Sequence, residues 1–144
     1  RKDRGDTPPE TFDFAGFTHI CGRTRGGKFT VHRRTSHKKF QSKLKDLATE
    51  LLRRRHNDIV ETGKWLSSVY RGWLQYYAVP GNYACLSRFQ KTLQRKWLHV
   101  LRRRSQRGAR LNWGKFSKIC NRWFPNPRIL HPYPEVRFAR QHQR

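Results

Sequence analysis

Between Glu61 and Glu135 the chain has no aspartate and no glutamate, yet that interval holds fifteen lysines and arginines. Helices ordinarily mix charge signs to gain pairs one turn apart. Leaving out the acids forfeits those pairs and keeps the positive potential unbroken. Over the 144 residues the imbalance amounts to a formal charge of +24. A charge that large opposes compaction and favours a polyanionic partner, either nucleic acid or an anionic membrane surface.

Other absences narrow the choice. Methionine is missing altogether, including at position 1, which points to a fragment or a processed piece. Cys21, Cys85 and Cys120 are odd in number and far apart, with no Cys-x-x-Cys. That argues against a disulfide framework and a standard zinc module, and for a reducing, cytoplasmic compartment. His19, Cys21, His32 and His37 cluster loosely, at no common zinc spacing, so no metal is expected. No apolar run approaches the ~18 residues of a membrane span. "RKDRGDTPPE" lacks the apolar core of a signal peptide. Paired carboxylates able to hold Mg²⁺ are also missing. Asp46 and Glu50 sit one helical turn apart among lysines and read as solvated ion-pair partners. There is no Ser-His-Asp logic, phosphate loop or His-Glu-x-x-His motif. No catalytic residue and no cofactor are expected in this chain.

What is present is aromatic and periodic. Aromatics make up 13% of the chain, and a chain of this length can bury them in a core. Residues 1–10 are polar, with Pro8 and Pro9, and read as a linker or tail. Residues 11–35 carry β patterns. Phe12 and Phe14 alternate with Thr11 and Asp13, and Gly16 interrupts them as a bulge or a close backbone approach requires. Residues 18–22 and 28–33 read as a hairpin around "RTRGG", where Gly26 and Gly27 tolerate positive φ.

Across 36–124 the period becomes helical. Phe40, Leu44, Leu47, Leu51 and Leu52 form a first stripe, capped by Thr35 or Ser36 and ended by Asn57 and Asp58. A second helix over about 62–78 carries Trp65, Leu66, Val69, Trp73 and Tyr76 or Tyr77. Pro80 and Gly81 end it, and Asn82 is placed to cap the third. That helix, over about 83–104, carries Leu86, Phe89, Leu93, Trp97, Val100 and Leu101. Asn112 caps a short fourth, with Trp113, Phe116, Ile119, Cys120 and Trp123 expected to face inward. Prolines hold residues 125–144 extended. The expected fold class is mainly α: an N-terminal β-hairpin, a basic bundle of three to four helices and an extended Pro-rich C-terminal tail.

Binding is the chemistry that these residues suit. Arg88, Lys91 and Arg95, then Arg102, Arg103 and Arg104, then Arg107 and Arg110, are expected to line one positive face. Guanidinium groups bind phosphates bidentately and stack on bases. Cations in a last helical turn suit the helix dipole, but three consecutive arginines exceed that need. Trp73 and Tyr77 fit a core stripe. Tyr76 and Tyr77 are adjacent, so one helix cannot bury both equally. The more exposed ring offers a stacking platform worth roughly 1–3 kcal/mol per base. His131, flanked by proline, suits either a phosphate contact or packing.

"TFDFAGFTHICG" followed by "GKFTV" resembles the palm end and primer-gripping hairpin of group II intron reverse transcriptases. "GKWLSSVYRGWLQYYAVPGN", "LRRRSQ", "NWGKF" and "PNPRILHPYP" resemble the thumb and maturase region, domain X, of the same family. The likeness runs over 11–138. It implies a palm-end strand and primer-grip region carrying Phe14, Gly16 and Phe17. Lys64, Trp65, Arg71, Gly72, Tyr76, Tyr77, Pro80, Gly81 and Asn82 match the maturase signature. Lys64, Arg71, Tyr76 and Tyr77 therefore join the arginines as RNA-binding candidates. Arg128, His131 and Arg137 fall in or near the C-terminal segment that in such proteins lies near DNA targets, and are the DNA-contact candidates. The implied partners are group II intron RNA, a template–primer duplex or target DNA, and a separate fingers and palm portion, with no membrane. The implied work is to bind intron RNA, assist its splicing and brace the duplex.

Departures from the family qualify that inheritance. Ala15 stands where the family usually has leucine. The fingers and palm, with the Tyr-x-Asp-Asp motif that holds catalytic Mg²⁺, are not in this chain, so it is expected not to polymerise DNA alone. Two other readings fit the residues: a basic protein that coats nucleic acid without preference, and a non-functional remnant of a mobile element. "YYAVPGN" separates them, because a specific maturase needs that turn ordered and a coating protein does not. A membrane-surface role fits least, since the charge is spread over several helices.

Overall fold

The alternation of Phe12 and Phe14 and the change of period near Ser36 both appear in the computed structural model, which describes residues 11–23, 26–27 and 29–131. A three-stranded antiparallel sheet of β1 (Thr11–Phe14), β2 (Phe17–Arg23) and β3 (Phe29–Thr35) precedes four helices. These are α1 (His37–Arg53), α2 (Ile59–Tyr77), α3 (Tyr83–Arg103) and α4 (Trp113–Cys120). The mainly helical class and the N-terminal hairpin are as expected, and β1 adds a third strand beside β2. Of the "RTRGG" turn, Thr24 and Arg25 lie outside the described residues, while Gly27 has φ +83°.

The break at Gly16 is a turn, not a bulge. Phe14 pairs with Phe17 across it, which leaves Ala15 and Gly16 as the two central residues. They have φ of +54° and +85°, the left-handed pair that a two-residue hairpin demands. The close approach is also real. A Cβ on Gly16 would lie 2.6 Å from the Tyr77 hydroxyl oxygen.

In α1, Phe40, Leu44, Leu47 and Leu51 are buried, but Leu52, counted in the same stripe, is 53% exposed. Ser36 caps the helix, its hydroxyl accepting from the Lys39 amide at 3.2 Å. The α2 helix starts at Ile59, ahead of the expected start, and buries Leu66, Tyr70, Trp73, Leu74 and Tyr77. Trp65 is only half-buried, with the Arg54 guanidinium 4.2 Å from its ring centre. The α3 stripe is buried as its spacing indicated, and the Trp73 and Phe89 rings stack at 4.3 Å.

In α4, Phe116 and Cys120 face the core as expected, followed by Trp123, while Trp113 and Ile119 do not. Ile119 lies ~100° around the helix from Cys120. Trp113 opens the helix and is 41% exposed, with the Arg95 guanidinium 5.9 Å from its ring. After α4 and a 3-10 turn, residues 125–131 form neither helix nor strand. The chain is bonded back to α2 and α3: the Tyr70 hydroxyl donates to the Pro125 carbonyl at 2.8 Å, and the Gln90 amide donates to the Phe124 carbonyl at 3.0 Å. No helix among the described residues is long and apolar enough to cross a membrane.

Candidate nucleic-acid interface

The tyrosine pair divides as a helix requires. Tyr77 is 7% exposed, its ring 4.2 Å from that of Trp73 and 4.9 Å from that of Phe17. Burial, then the neighbouring Tyr76, pushes its phenol pKa up. Tyr77 therefore has no free face for a base, which corrects its place among the RNA-binding candidates. Tyr76 is 51% exposed, stacks on Phe17 at 5.5 Å, and its hydroxyl donates to the Ala15 carbonyl. Phe17 is buried under the pair, whereas Phe14 is open to solvent. Ala15, Gly16 and Phe17 thus form one cluster with the tyrosines, although some sixty positions separate them in the chain.

Asn82 ties this cluster to the helices. It is fully buried. Its side-chain oxygen accepts from the Thr35 amide at 2.8 Å, and its nitrogen donates to the Thr35 hydroxyl at 2.9 Å and the Tyr77 carbonyl at 2.8 Å. It stands at the start of α3, but its side chain makes no capping bond there. Capping was the expected role; bonding β3 to the end of α2 is the observed one. A buried amide with partners on both ends is stable where an orphaned one is not. Gly81, at φ +89°, turns the chain into this position.

The cations of α3 form two adjacent stripes at helical spacing. Arg88, Lys91, Arg95 and Arg102 make one, and all are exposed. Arg88 also lies 4.9 Å over the Phe40 ring. Lys96, His99 and Arg103 make the other. With Arg55, His56 and Arg104 they line a groove of about 790 Å³ between the C-terminal ends of α1 and α3. Its apolar lining is Ala48, Leu52 and Val100. Arg104 is fixed there, donating to the Arg55 and Asn57 carbonyls at 3.3 and 3.1 Å. Those carbonyls follow the end of α1, where a cation is favoured. Glu50 is engaged elsewhere. It pairs with Arg53 at 2.9 Å and Arg54 at 2.8 Å. The Arg54 hydrogen bond, foremost, holds its carboxyl below the usual range. Among the described residues, no carboxylate pairs with the cations of α3.

The remaining candidates are scattered. Lys64 and Arg71 are exposed seven positions apart on α2, and the Arg71 Nε donates to the Ser67 hydroxyl at 3.2 Å. Arg107 and Arg110 are exposed beside and in a 3-10 turn after α3, and Arg128 is exposed on the segment after α4. His131 uses Nε2 on the Gln75 carbonyl, and its amide donates to the Ala78 carbonyl at 3.1 Å. Arg137 lies outside the described residues. Among the described residues, no group of three or more His, Cys, Asp or Glu is placed to hold a metal.

Sequence reasoning did not nominate Arg55, His56, Lys96 or His99. The signal was present in part. Short connections make α1, α2 and α3 run up, down and up, so the ends of α1 and α3 meet, and the spacing of Lys96, His99 and Arg103 aims them at one side. Comparisons with protein-family models, with curated proteins and with solved structures gave no match.

Proposed function

We propose that the chain is the RNA-binding maturase and thumb portion of a group II intron reverse transcriptase, which binds intron RNA to assist splicing and braces the template–primer duplex. The observation that carries this reading is the junction around Asn82. Residues that resemble the palm-end hairpin and residues that resemble the maturase signature are bonded together, through Thr35, Asn82 and Tyr77 in the interior and through Tyr76 at the surface. Coating a polyanion by charge alone has no need of such an ordered turn. The α3 cations supply the binding energy. They neutralise phosphates that RNA folding brings close together, and the helical stripes beneath keep them in place.

A second reading, a basic protein without preference, is favoured by the same unpaired cations, which would serve any polyanion. The first test is replacement of Arg88, Lys91, Arg95 and Arg102 with glutamine. Each cation that meets a phosphate should contribute ~0.7–0.9 to the slope of log affinity against log salt. The variant should bind folded intron RNA more weakly, with a slope shallower by roughly 3. Unchanged affinity and slope would show that these side chains are merely solvated.

A further inference from the structure

We propose that the groove between the ends of α1 and α3 holds one unstacked nucleotide of a single strand, with its phosphate against the cationic rim and its base against the apolar floor. This rests on the nucleic-acid reading above and names a site within it.

Charge, shape and exposure each support it. The rim brings Arg55, Lys96, Arg103 and Arg104 around one space with two imidazoles, His56 and His99. No carboxylate among the described residues lines that space. Answering the negative ends of two helices accounts for a cation or two, and Arg104 already does so through the carbonyls after α1. The others remain available to an anion. A phosphate alone would leave most of 790 Å³ empty, whereas a nucleotide has the size of ligand that pockets of this class enclose. Leu52 decides between an ion and a nucleotide. It is more than half exposed, it lies in the groove, and an inorganic anion has no use for it. A base does, because its faces are apolar. In a duplex the bases are paired and stacked, so a base that reaches this floor comes from an unpaired position. Arg55 Nε donates to His56 Nε2 at 3.3 Å.

The test uses two labelled strands of about 12 nucleotides, an oligouridylate and an abasic ribose-phosphate strand of equal charge. The chain should bind the uridylate about five- to tenfold more tightly, the ratio expected from one modest base contact. Leu52→Ser, at an exposed position that tolerates the change, should abolish that ratio and leave abasic binding alone. Lys96→Gln with Arg103→Gln should weaken both strands and lower the salt slope by about 1.4. The side-chain NMR signals of His56 and His99 should shift as uridylate is added to the unmodified chain. Equal binding of the two strands, a preference that survives Leu52→Ser, or imidazole signals that stay in place at saturation would each overturn the groove. If folded intron RNA still binds in those cases, the RNA-binding reading stands without it. If neither strand nor intron RNA binds, both fall.

Discussion

Replacing Asn82 with alanine removes the acceptor of the Thr35 amide and the donor to the Tyr77 carbonyl, both at 2.8 Å and both in the interior. The Thr35 amide stays where the strand puts it, now without that partner, while the Tyr77 carbonyl keeps only the Val79 amide at 2.8 Å. An orphaned buried group costs about 1–3 kcal/mol. The Thr35 hydroxyl, which accepts from the same amide at 2.9 Å, can turn to another partner and adds little. The sum is about 1–3 kcal/mol, a sizeable share of the 5–15 kcal/mol typical of a domain. At 2–4 °C per kcal/mol for a chain of this size, the melting temperature should fall by roughly 2–12 °C. Urea and thermal unfolding followed by near-UV circular dichroism measure this, since Tyr77, Trp73 and Phe89 form the reporting aromatic stack. Asn82→Asp should be as damaging at neutral pH, because it aims a buried carboxylate at the Tyr77 carbonyl. Its stability should recover as the pH falls and that carboxyl takes a proton. An Asn82→Ala protein within about 0.5 kcal/mol of the parent would refute the claim that this residue joins sheet to helices.

Two glycines of α2 should respond in opposite directions. At Gly63 a Cβ would meet the Trp123 indole at 2.4 Å, so Gly63→Ala should destabilise by about 1–3 kcal/mol in urea titration, against the usual helical preference for alanine. At Gly72 a Cβ meets nothing within 4 Å, and Gly72→Ala should stabilise by about 0.5–1 kcal/mol in the same assay. Ala15→Gly should raise stability by several tenths of a kcal/mol, since Ala15 holds φ +54° at no gain of packing. Alkaline pH should weaken the fold. Burial pushes the Cys120 thiol up to about 11 from an ordinary 9.0, so between those values the unfolded chain loses a proton that the folded chain keeps. Stability therefore falls as the pH rises above 9, by on the order of 1–2 kcal/mol near pH 11, and the raised Tyr70 phenol acts in the same direction. Melting curves from pH 7 to 11 check this; a flat profile contradicts it.

Local chemistry was readable from the residues, and joint chemistry was not. The α3 stripe, the Asn112 cap and the end of α2 at Pro80 follow from spacing and capping preferences within a few residues of each site. Gly16 was readable as a place of strain or close approach, but not Tyr77 as its neighbour, because that contact spans the chain. Asn82 read as a cap since it precedes a helix. Its burial sends the amide to the strand and the end of α2 instead, because polar partners there outweigh a local bond. Leu52 kept its place in a heptad-like count yet lies outside the core, since a stripe's last residue depends on whether a neighbouring element extends to cover it. The cationic groove needed the same knowledge. Arg55 and Arg103 belong to different stripes until the helix directions are known.

The central claim is that an ordered basic surface recognises folded RNA, and equilibrium binding to a folded group II intron RNA and to a scrambled RNA of equal length, each at low and high salt, tests it most directly. The account predicts a preference for the folded intron that survives high salt, because shape-specific contacts outlast counterion release. Equal affinities that collapse together as salt rises would contradict it and leave charge as the whole of the interaction.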